Sequence, residues 1–311
     1  MITSEQFVQP WRHKLFLSVV AVFALVVLGR AYVLQVQQNN FLQKQGAARQ
    51  QRTIPVAATR GRILDRNHTP LAVSTPISSV WADPRKLRQE RERFEELAAA
   101  LDQSAKRVAD IVDRAPENRG FVYLARHVEP EVAKNVSALK IDGVNLQREY
   151  RRYYPSGEVA SHVLGSTNID GKGIEGLEAL WNESLVGTPG ERRVIRDLKG
   201  RAFSEIEYIN KESDGSDLVL SIDRRIQYVA YRELKRAVDA HSAKSGSVVV
   251  MNSRTGEVLA LANQPAFNPN TSSGLQVGSR RNRAVTDPVE PGSTLKPFTI
   301  AAGLELGVIE P

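Results

Sequence analysis

The chain has 311 residues, of which 41% are hydrophobic and 25% charged, so the composition indicates about two folded domains plus appendages and argues against a disordered chain. It contains no cysteine, which excludes disulfides, thiolate catalysis and cysteine-based metal sites. The net charge is +7, but the basic residues are interspersed with acids, and the five histidines lack metal-ligand spacing. We therefore expect no metal, no cofactor and no nucleic-acid partner.

The first predicted element is an apolar helix over residues 15–36. At ~1.5 Å per residue it would reach ~33 Å, enough to span a bilayer, with Arg30 near its far end. A buried core helix and a cleaved signal peptide are the alternatives. The uniform apolar character argues against the first, and the lack of a small-residue cleavage site directly after the run argues against the second. The pattern favours an uncleaved transmembrane signal anchor.

Charge predicts the orientation of this anchor. Basic residues precede it in the short tail 1–14, and no charged residue occurs from Ala31 to Gln43. Positive charge marks the cytoplasmic side of a span. We expect a cytoplasmic N-terminus, a single pass through the membrane, and the bulk of the chain on its outer side.

Residues 37–58 are rich in glutamine and are expected to form a helix or an extended stalk. The stretch from Thr59 to Ser74 then predicts two short strands joined by a turn at Asn67 and His68, because both residue types are enriched at positive φ.

Helices and strands alternate from Pro84 onward. Pro84 is expected to open a helix that runs to Leu101 with its apolar side chains on one stripe. Shorter helices are expected over 104–114 and 130–138, with a strand at 121–124 between them. The predicted stripe consists of Leu87, Phe94, Leu97 and Leu101.

The aromatic and basic run from Arg148 to Gly157 is interpreted as a strand that ends in a turn at Pro155, Ser156 and Gly157. A nucleic-acid stacking surface is the alternative interpretation. Farther along, the stretch from Gly171 to Glu178 is expected to precede a helix toward Leu185 that ends at Gly187.

After a polar linker, 211–217, the pattern changes. A strand is expected over 218–222, and Asp223 is expected to cap a helix that runs to about Ala240. Two strands, 247–252 and 257–262, form a predicted hairpin. These elements indicate the opening of a second domain of α/β type with antiparallel strands.

A serine followed three positions later by a lysine, Ser293 and Lys296, comes directly after Pro291-Gly292 and opens an apolar helix. Residues i and i+3 lie on one face of a helix, so the Lys296 amine could reach the Ser293 hydroxyl and take its proton. The positive end of the helix disfavours a second positive charge on Lys296, and its free N–H groups could face an oxyanion. The arrangement indicates serine acyl transfer with lysine as the base.

The same spacing occurs at Ser137 and Lys140, which we interpret as chance because Ser137 lies in the body of an ordinary surface helix. We therefore assign Ser293 as the candidate nucleophile and Lys296 as the candidate general base.

With its motifs taken in order, the chain resembles the class B penicillin-binding proteins, most closely the FtsI-type, division-specific peptidoglycan D,D-transpeptidases. Thr59 to Ala72 is similar to the family motif R-G-x-x-x-D-R-N-G-x-x-L-A, and two further motifs match Arg152 to Gly157 and Gly173 to Gly190. The motif residues that the resemblance implies as an interdomain structural set are Arg60, Gly61, Asp65, Arg66, Asn67, Arg152, Pro155, Gly157, Gly173 and Glu175.

The resemblance implies an α+β multidomain protein: an anchor at 15–36, a non-catalytic pedestal (dimerisation) domain at 37–210, a linker at 211–217 and an incomplete transpeptidase domain at 218–311. It implies that Ser293 attacks the D-Ala-D-Ala end of a peptidoglycan stem peptide, and that β-lactams acylate the same serine. The implied partners are division proteins, including a lipid II polymerase. The alternatives are an elongation-type transpeptidase, a carboxypeptidase, a β-lactamase, and a membrane-anchored division scaffold without catalysis.

The chain departs from the family pattern in three places. His68 stands where the family usually has glycine, and Val289 where it often has an aromatic residue. More seriously, the family's S-x-N and K-[ST]-G motifs follow S-x-x-K, whereas the literal matches here, at 166–168 and 244–246, precede it. We interpret both as chance matches to the motifs. We expect the chain to be the N-terminal part of a longer protein, and its substrate-binding residues are unknown.

The charged motif residues flank glycine-containing turns. Ordinary surface charge is the simplest interpretation, because single exposed pairs contribute little. The resemblance favours a polar seam that joins the pedestal to the catalytic domain, in which Arg60 or Glu175 would lie close to opposite charges.

Overall fold

The computed structural model describes residues 10–38, 51–196, 202–271 and 278–311. The α-helices are α1 (Pro10–Tyr32), α2 (Pro84–Leu87), α3 (Phe94–Ala100), α4 (Ala105–Arg114), α5 (Pro130–Leu139), α6 (Ser161–Leu164), α7 (Gly176–Leu180), α8 (Asn182–Leu185), α9 (Arg224–Ala240), α10 (Arg283–Thr286) and α11 (Lys296–Glu305). Tighter 3₁₀ turns cover Arg88–Arg93, Gly157–Ala160 and Gly292–Leu295.

The strands are β1 (Gln51–Val56), β2 (Ile63–Leu64), β3 (Pro70–Ala82), β4 (Val122–Val128), β5 (Val144–Tyr153), β6 (Gly190–Arg196), β7 (Ala202–Asn210), β8 (Leu218–Val219), β9 (Gly246–Met251) and β10 (Val258–Gln264). Helices and largely antiparallel sheets are mixed along the chain, which confirms the predicted α+β class.

The chain forms two compact units. The first consists of residues 1–56 with 189–212, and it contains α1 and an antiparallel sheet in the order β1-β6-β7. The helix continues beyond Tyr32 as a π-helical turn over Val33–Gln37. The segment Lys14–Val36 is long and apolar enough to cross a membrane by length and composition. The stalk predicted over 37–58 lies partly outside the described residues, and its last part forms β1.

The second unit consists of residues 57–188 with 213–311. Its largest sheet is built around the long strand β3, which pairs with β2, β4 and β5 in antiparallel fashion. Strand β8 adds to β2 in parallel, with Ile63 opposite Leu218. Strands β9 and β10 form a separate antiparallel hairpin. The predicted domain boundaries at 210 and 218 stay a prediction.

Among the described residues of the second unit, three apolar cores are present. One lies under α3 and α4 and includes Leu87, Leu97 and Val108. A second surrounds Tyr154, and a third lies where α9 packs on the β9–β10 hairpin around Leu234. The helix α9 begins as expected, with the Asp223 side chain accepting the Arg225 N–H at 2.9 Å.

The turn predicted at Asn67 and His68 is confirmed, with His68 at φ 60° between β2 and β3. The continuous helix predicted from Pro84 to Leu101 is wrong. It is divided into α2, a 3₁₀ turn and α3, with a non-helical residue at Glu90. The six residues from 88 to 93 carry no apolar side chain and none is buried, so no core contact holds them in an α-helix.

Candidate active site and interdomain seam

The serine and lysine of the S-x-x-K motif lie at the start of a helix. Ser293 is in the Gly292–Leu295 turn, and Lys296 is the first residue of α11. Gly292 adopts φ 51°, a conformation that favours glycine, and Pro297 at the second helical position suits a helix start. The Lys296 backbone N–H donates to the Ser293 carbonyl, so the two residues are one helical turn apart.

Both side chains are exposed. Among the hydrogen bonds of the described residues, none joins the Ser293 hydroxyl to the Lys296 amine. The turn therefore places the two groups on one face without a formed proton-transfer contact. Their roles as nucleophile and base stay predictions.

The second serine–lysine pair lies in a different setting. Ser137 is an exposed residue of α5, and Lys140 follows the end of that helix at φ 50°. The sequence match to the S-x-N motif, at 166–168, lies in a loop where Ser166 accepts a hydrogen bond from Arg280 at 3.0 Å. The sequence match to the K-[ST]-G motif, at 244–246, has an exposed lysine and serine and ends at the first residue of β9.

Arg60 and Arg152 bind the same buried carboxylate, that of Glu178. The Nε–H of Arg60 donates to Oε2 and the Nε–H of Arg152 to Oε1, each at 2.7 Å. Glu178 is fully buried and both arginines are more than nine-tenths buried. A buried charge must be paired and hydrogen-bonded to be tolerated, so the three side chains depend on one another.

Gly61 and Gly173 border this cluster at positions where the backbone of another segment comes too close to leave room for a side chain. A Cβ on Gly61 would lie 2.1 Å from the Ser216 carbonyl oxygen, and one on Gly173 would lie 1.9 Å from the Glu178 carbonyl oxygen. The Gly61 carbonyl also accepts the Nη1–H of Arg152 at 2.8 Å. The two motif glycines thus allow the chain segments around Glu178 to meet.

Asp65 organises the turn of the first motif and reaches the start of α9. Its Oδ1 accepts the N–H groups of Asn67 and Thr69 at 2.8 and 2.7 Å, and its Oδ2 accepts the Arg224 N–H at 3.1 Å. Burial alone would raise the pKa of Asp65. The backbone bonds from Thr69, Arg224 and Asn67 together outweigh it and leave that pKa below its usual range.

Two more side chains of this turn contact residues after the predicted linker in the same unit. The Asn67 amide donates to Asp223 at 3.3 Å, and Arg66 lies 3.6 Å from the Glu257 carboxylate. The side-chain hydrogen bond from Arg225 holds the pKa of Asp223 below its usual range despite opposing burial. The first motif therefore contacts the N-terminus of α9 and the turn between β9 and β10.

The second and third motifs contact the segments that lead to Ser293. Gly157 turns the chain at φ 52°, its N–H donating to the carbonyl of buried Tyr154 at 3.0 Å. Asn270 pairs with both the N–H and the carbonyl of Tyr154, each at 3.0 Å. Pro155 precedes that turn. Glu175 forms an ion pair with Arg280 at 3.2 Å.

Sequence reasoning missed three residues of this seam: Glu178, His162 and Arg280. Glu178 is three positions after Glu175, and its burial was not apparent because a glutamate in a stretch with other charged residues and three glycines is usually exposed. His162 lies in an apolar stretch after the Pro155 turn, a pattern that signals a core histidine at most. Arg280 is one of several arginines in a polar loop, and nothing local marks its partner. In the described ranges, no cluster of three acidic or histidine side chains could hold a metal ion.

Comparison with known proteins matches two stretches of the chain to family models. The model of the penicillin-binding protein dimerisation domain matches residues 55–220, and that of the penicillin-binding protein transpeptidase domain matches residues 246–311. Peptidoglycan D,D-transpeptidase FtsI of Escherichia coli K12 is 42% identical over 304 residues, which is 96% of this chain and 51% of the relative.

Two further matches agree. The probable peptidoglycan D,D-transpeptidase PenA of Neisseria gonorrhoeae is 40% identical over 302 residues, covering 95% of this chain and 51% of the relative. The fold resembles penicillin-binding protein 2X of Streptococcus thermophilus with a TM-score of 0.57 at 24% identity, over 84% of this chain and 42% of that one. The chain spans about half the length of the curated relatives it matches.

Proposed function

Because the chain belongs to the class B penicillin-binding proteins, with a dimerisation domain ahead of a transpeptidase domain, we propose that it is part of a peptidoglycan D,D-transpeptidase. The observation that carries the proposal is the helix start at Ser293, where the Lys296 N–H bonds to the Ser293 carbonyl one turn away. FtsI is named as a peptidoglycan D,D-transpeptidase and PenA as a probable one. These names support transpeptidation as the reaction of this chain.

In the proposed reaction the Ser293 Oγ attacks the carbonyl carbon of the penultimate D-Ala in a stem peptide, and its proton passes to the Lys296 amine. The peptide bond breaks, and the terminal D-Ala leaves with a proton on its nitrogen. An amine of a neighbouring stem peptide then attacks the acyl-enzyme ester. The new amide forms the crosslink, and Ser293 recovers its proton.

The helix start supplies two parts of this chemistry. The first backbone N–H groups of a helix have no partner within it, and they suit the oxyanion of a tetrahedral intermediate. The partial positive charge at the same end favours that anion. An S-x-x-K pair at a helix start thus combines a nucleophile, its base and a positively polarised site for the oxyanion.

We place the reaction in cell division and at the outer face of the inner membrane. The supporting observations are the 42% identity to FtsI and the apolar segment Lys14–Val36, which suits a membrane anchor. The basic tail before the segment favours a cytoplasmic N-terminus and a periplasmic bulk. Division proteins, including a lipid II polymerase, are the proposed partners.

A penicillin-labelling gel tests the enzymatic function. A fluorescent β-lactam is added to this chain and to the gene product that carries it, each with Ser293→Ala and Lys296→Arg variants. We expect covalent label on the wild-type gene product and none on either variant, because guanidinium does not give up its proton. An unlabelled gene product would instead favour a membrane-anchored scaffold.

A further inference from the structure

His162 joins the pedestal half of the second unit to the segment that leads to Ser293. It lies on α6 with 7% of its surface exposed, and its Nε2 is 2.8 Å from the carbonyl oxygen of Ser279. A carbonyl oxygen only accepts hydrogen bonds, so Nε2 carries the proton. The ring also meets Phe267 edge to face at 5.5 Å between centroids. The histidine is thus fixed in both orientation and tautomer.

A second set of hydrogen bonds, made by Asn282, fixes the segment just after Ser279. The Asn282 amide donates to the backbone carbonyl of His162 at 3.3 Å, and its oxygen accepts from Asn263 at 2.9 Å. Asn263 is almost fully buried and also accepts the Ala284 N–H at 2.9 Å. The stretch from Ser279 to Ala284 is therefore clamped between α6 on one side and β10 on the other.

Little freedom remains between this clamp and the candidate nucleophile. The short helix α10 covers residues 283–286, and only six residues separate its end from Ser293. Two of the six are Pro288 and Pro291, whose rings restrict φ. Because the connection is short and contains two prolines, we expect a shift of the clamped stretch to reach the turn that carries Ser293.

We propose that His162 is a positioning residue for Ser293, acting through its hydrogen bond to the Ser279 carbonyl. The inference rests on the proposed function of Ser293. His162 touches no reacting atom; its bond fixes where the segment before the nucleophile lies. Loss of the bond would remove the imidazole N–H from the buried Ser279 carbonyl, and we expect the segment to shift away from α6 as a result.

A matched pair of substitutions separates the hydrogen bond from the bulk of the ring. His162→Phe keeps an aromatic ring against Phe267 but has no donor. His162→Gln keeps an amide N–H near the position of Nε2 but has no ring. His127→Phe is the control, because His127 is a partly buried histidine of the same unit but lies on β4, away from the 279–284 stretch.

The test measures acylation of the full gene product by benzylpenicillin over a range of concentrations, which separates half-saturation from the first-order acylation rate. A misplacement of about 1 Å in a reacting group costs up to about 100-fold, so we expect His162→Phe to slow acylation by about 10- to 100-fold. Half-saturation should stay unchanged. His162→Gln and His127→Phe should acylate close to the wild-type rate.

The proposal is overturned if folded His162→Phe protein acylates at the wild-type rate, or if His162→Gln is slowed as much as His162→Phe. If His162→Phe does not fold, His162→Leu decides, because leucine likewise has no donor for the Ser279 carbonyl. That variant should slow acylation, and a wild-type rate would refute the proposal. Failure of the wild-type protein to acylate, or label persisting in Ser293→Ala, would refute the proposed function instead.

Discussion

The Arg60 guanidinium donates to the Glu178 carboxylate at 2.7 Å, although the two residues are 118 positions apart in the chain. The bond joins the first motif to the third. Arg152, from the second motif, binds the other oxygen of the same carboxylate at 2.7 Å. One buried carboxylate therefore connects the three motifs in space. Sequence similarity gives only their order along the chain.

Removing the Glu178 carboxylate should be costly. In Glu178→Gln two buried guanidinium groups lose their counter-charge, and breaking a buried pair costs about 3–5 kcal/mol of the free energy of unfolding. The control is Asp217→Asn, which weakens the Arg62–Asp217 pair, where the arginine side chain is 57% exposed. That change should cost far less, because solvent screens an exposed pair. Urea unfolding of the two variants measures both, and equal losses would contradict the assignment.

Acid should weaken the contact between the first motif and α9. The folded-state pKa of Asp65 and that of Asp223 are both lowered, so the folded state binds fewer protons than the unfolded state near their usual value of about 3.9. Their stabilisation is present above that value and is lost progressively as the pH falls from it through the lower folded-state pKa. The free energy of unfolding should begin to drop near about pH 5 and continue to fall below about pH 3. Asp65→Asn should flatten this decline; parallel curves would refute the linkage.

Two glycines in one loop offer a test of close backbone approach. Gly173→Ala would force a Cβ within 1.9 Å of the Glu178 carbonyl, whereas at Gly171 nothing lies within 4 Å and only the positive φ of 76° opposes alanine. We expect Gly171→Ala to cost about 1–2 kcal/mol from its backbone conformation. Gly173→Ala should cost more, because the main chain that holds Arg60 must move. Thermal unfolding ranks the two, and the reverse order would contradict the close approach.

The local elements were largely predictable because each depends on nearby residues. The capping of α9 by Asp223, the hairpin of β9 and β10, and the left-handed turn at His68 follow from residue types and periodicity. The break at Glu90 was not predicted, because it arises from missing core contacts rather than from a proline or glycine.

The seam was less predictable than the local elements. A sequence gives no partner for Glu178, His162 or Arg280, because each contact joins segments about 20 to 120 residues apart. The resemblance marked Arg60, Arg152 and Glu175 as important without saying what they bind. Burial, which makes Glu178 costly to lose, depends on the whole unit and cannot be read from its neighbours in the chain.

The orientation of the anchor has a direct test. An alkaline phosphatase reporter fused after Arg49 should be active, because the basic residues before the apolar segment favour a cytoplasmic N-terminus and a periplasmic fusion site. A cytoplasmically active reporter fused at the same position is the control and should stay silent. The opposite pattern of activity would reverse the proposed topology.

Mass spectrometry of peptides from the benzylpenicillin-treated gene product tests directly whether Ser293 forms the acyl-enzyme. We expect the mass of the intact β-lactam on the peptide that contains Ser293, and an unmodified peptide in Ser293→Ala. Ser137, which has the same spacing to a lysine, should carry no adduct. An adduct on Ser137 or on any other residue, with Ser293 unmodified, would contradict this expectation.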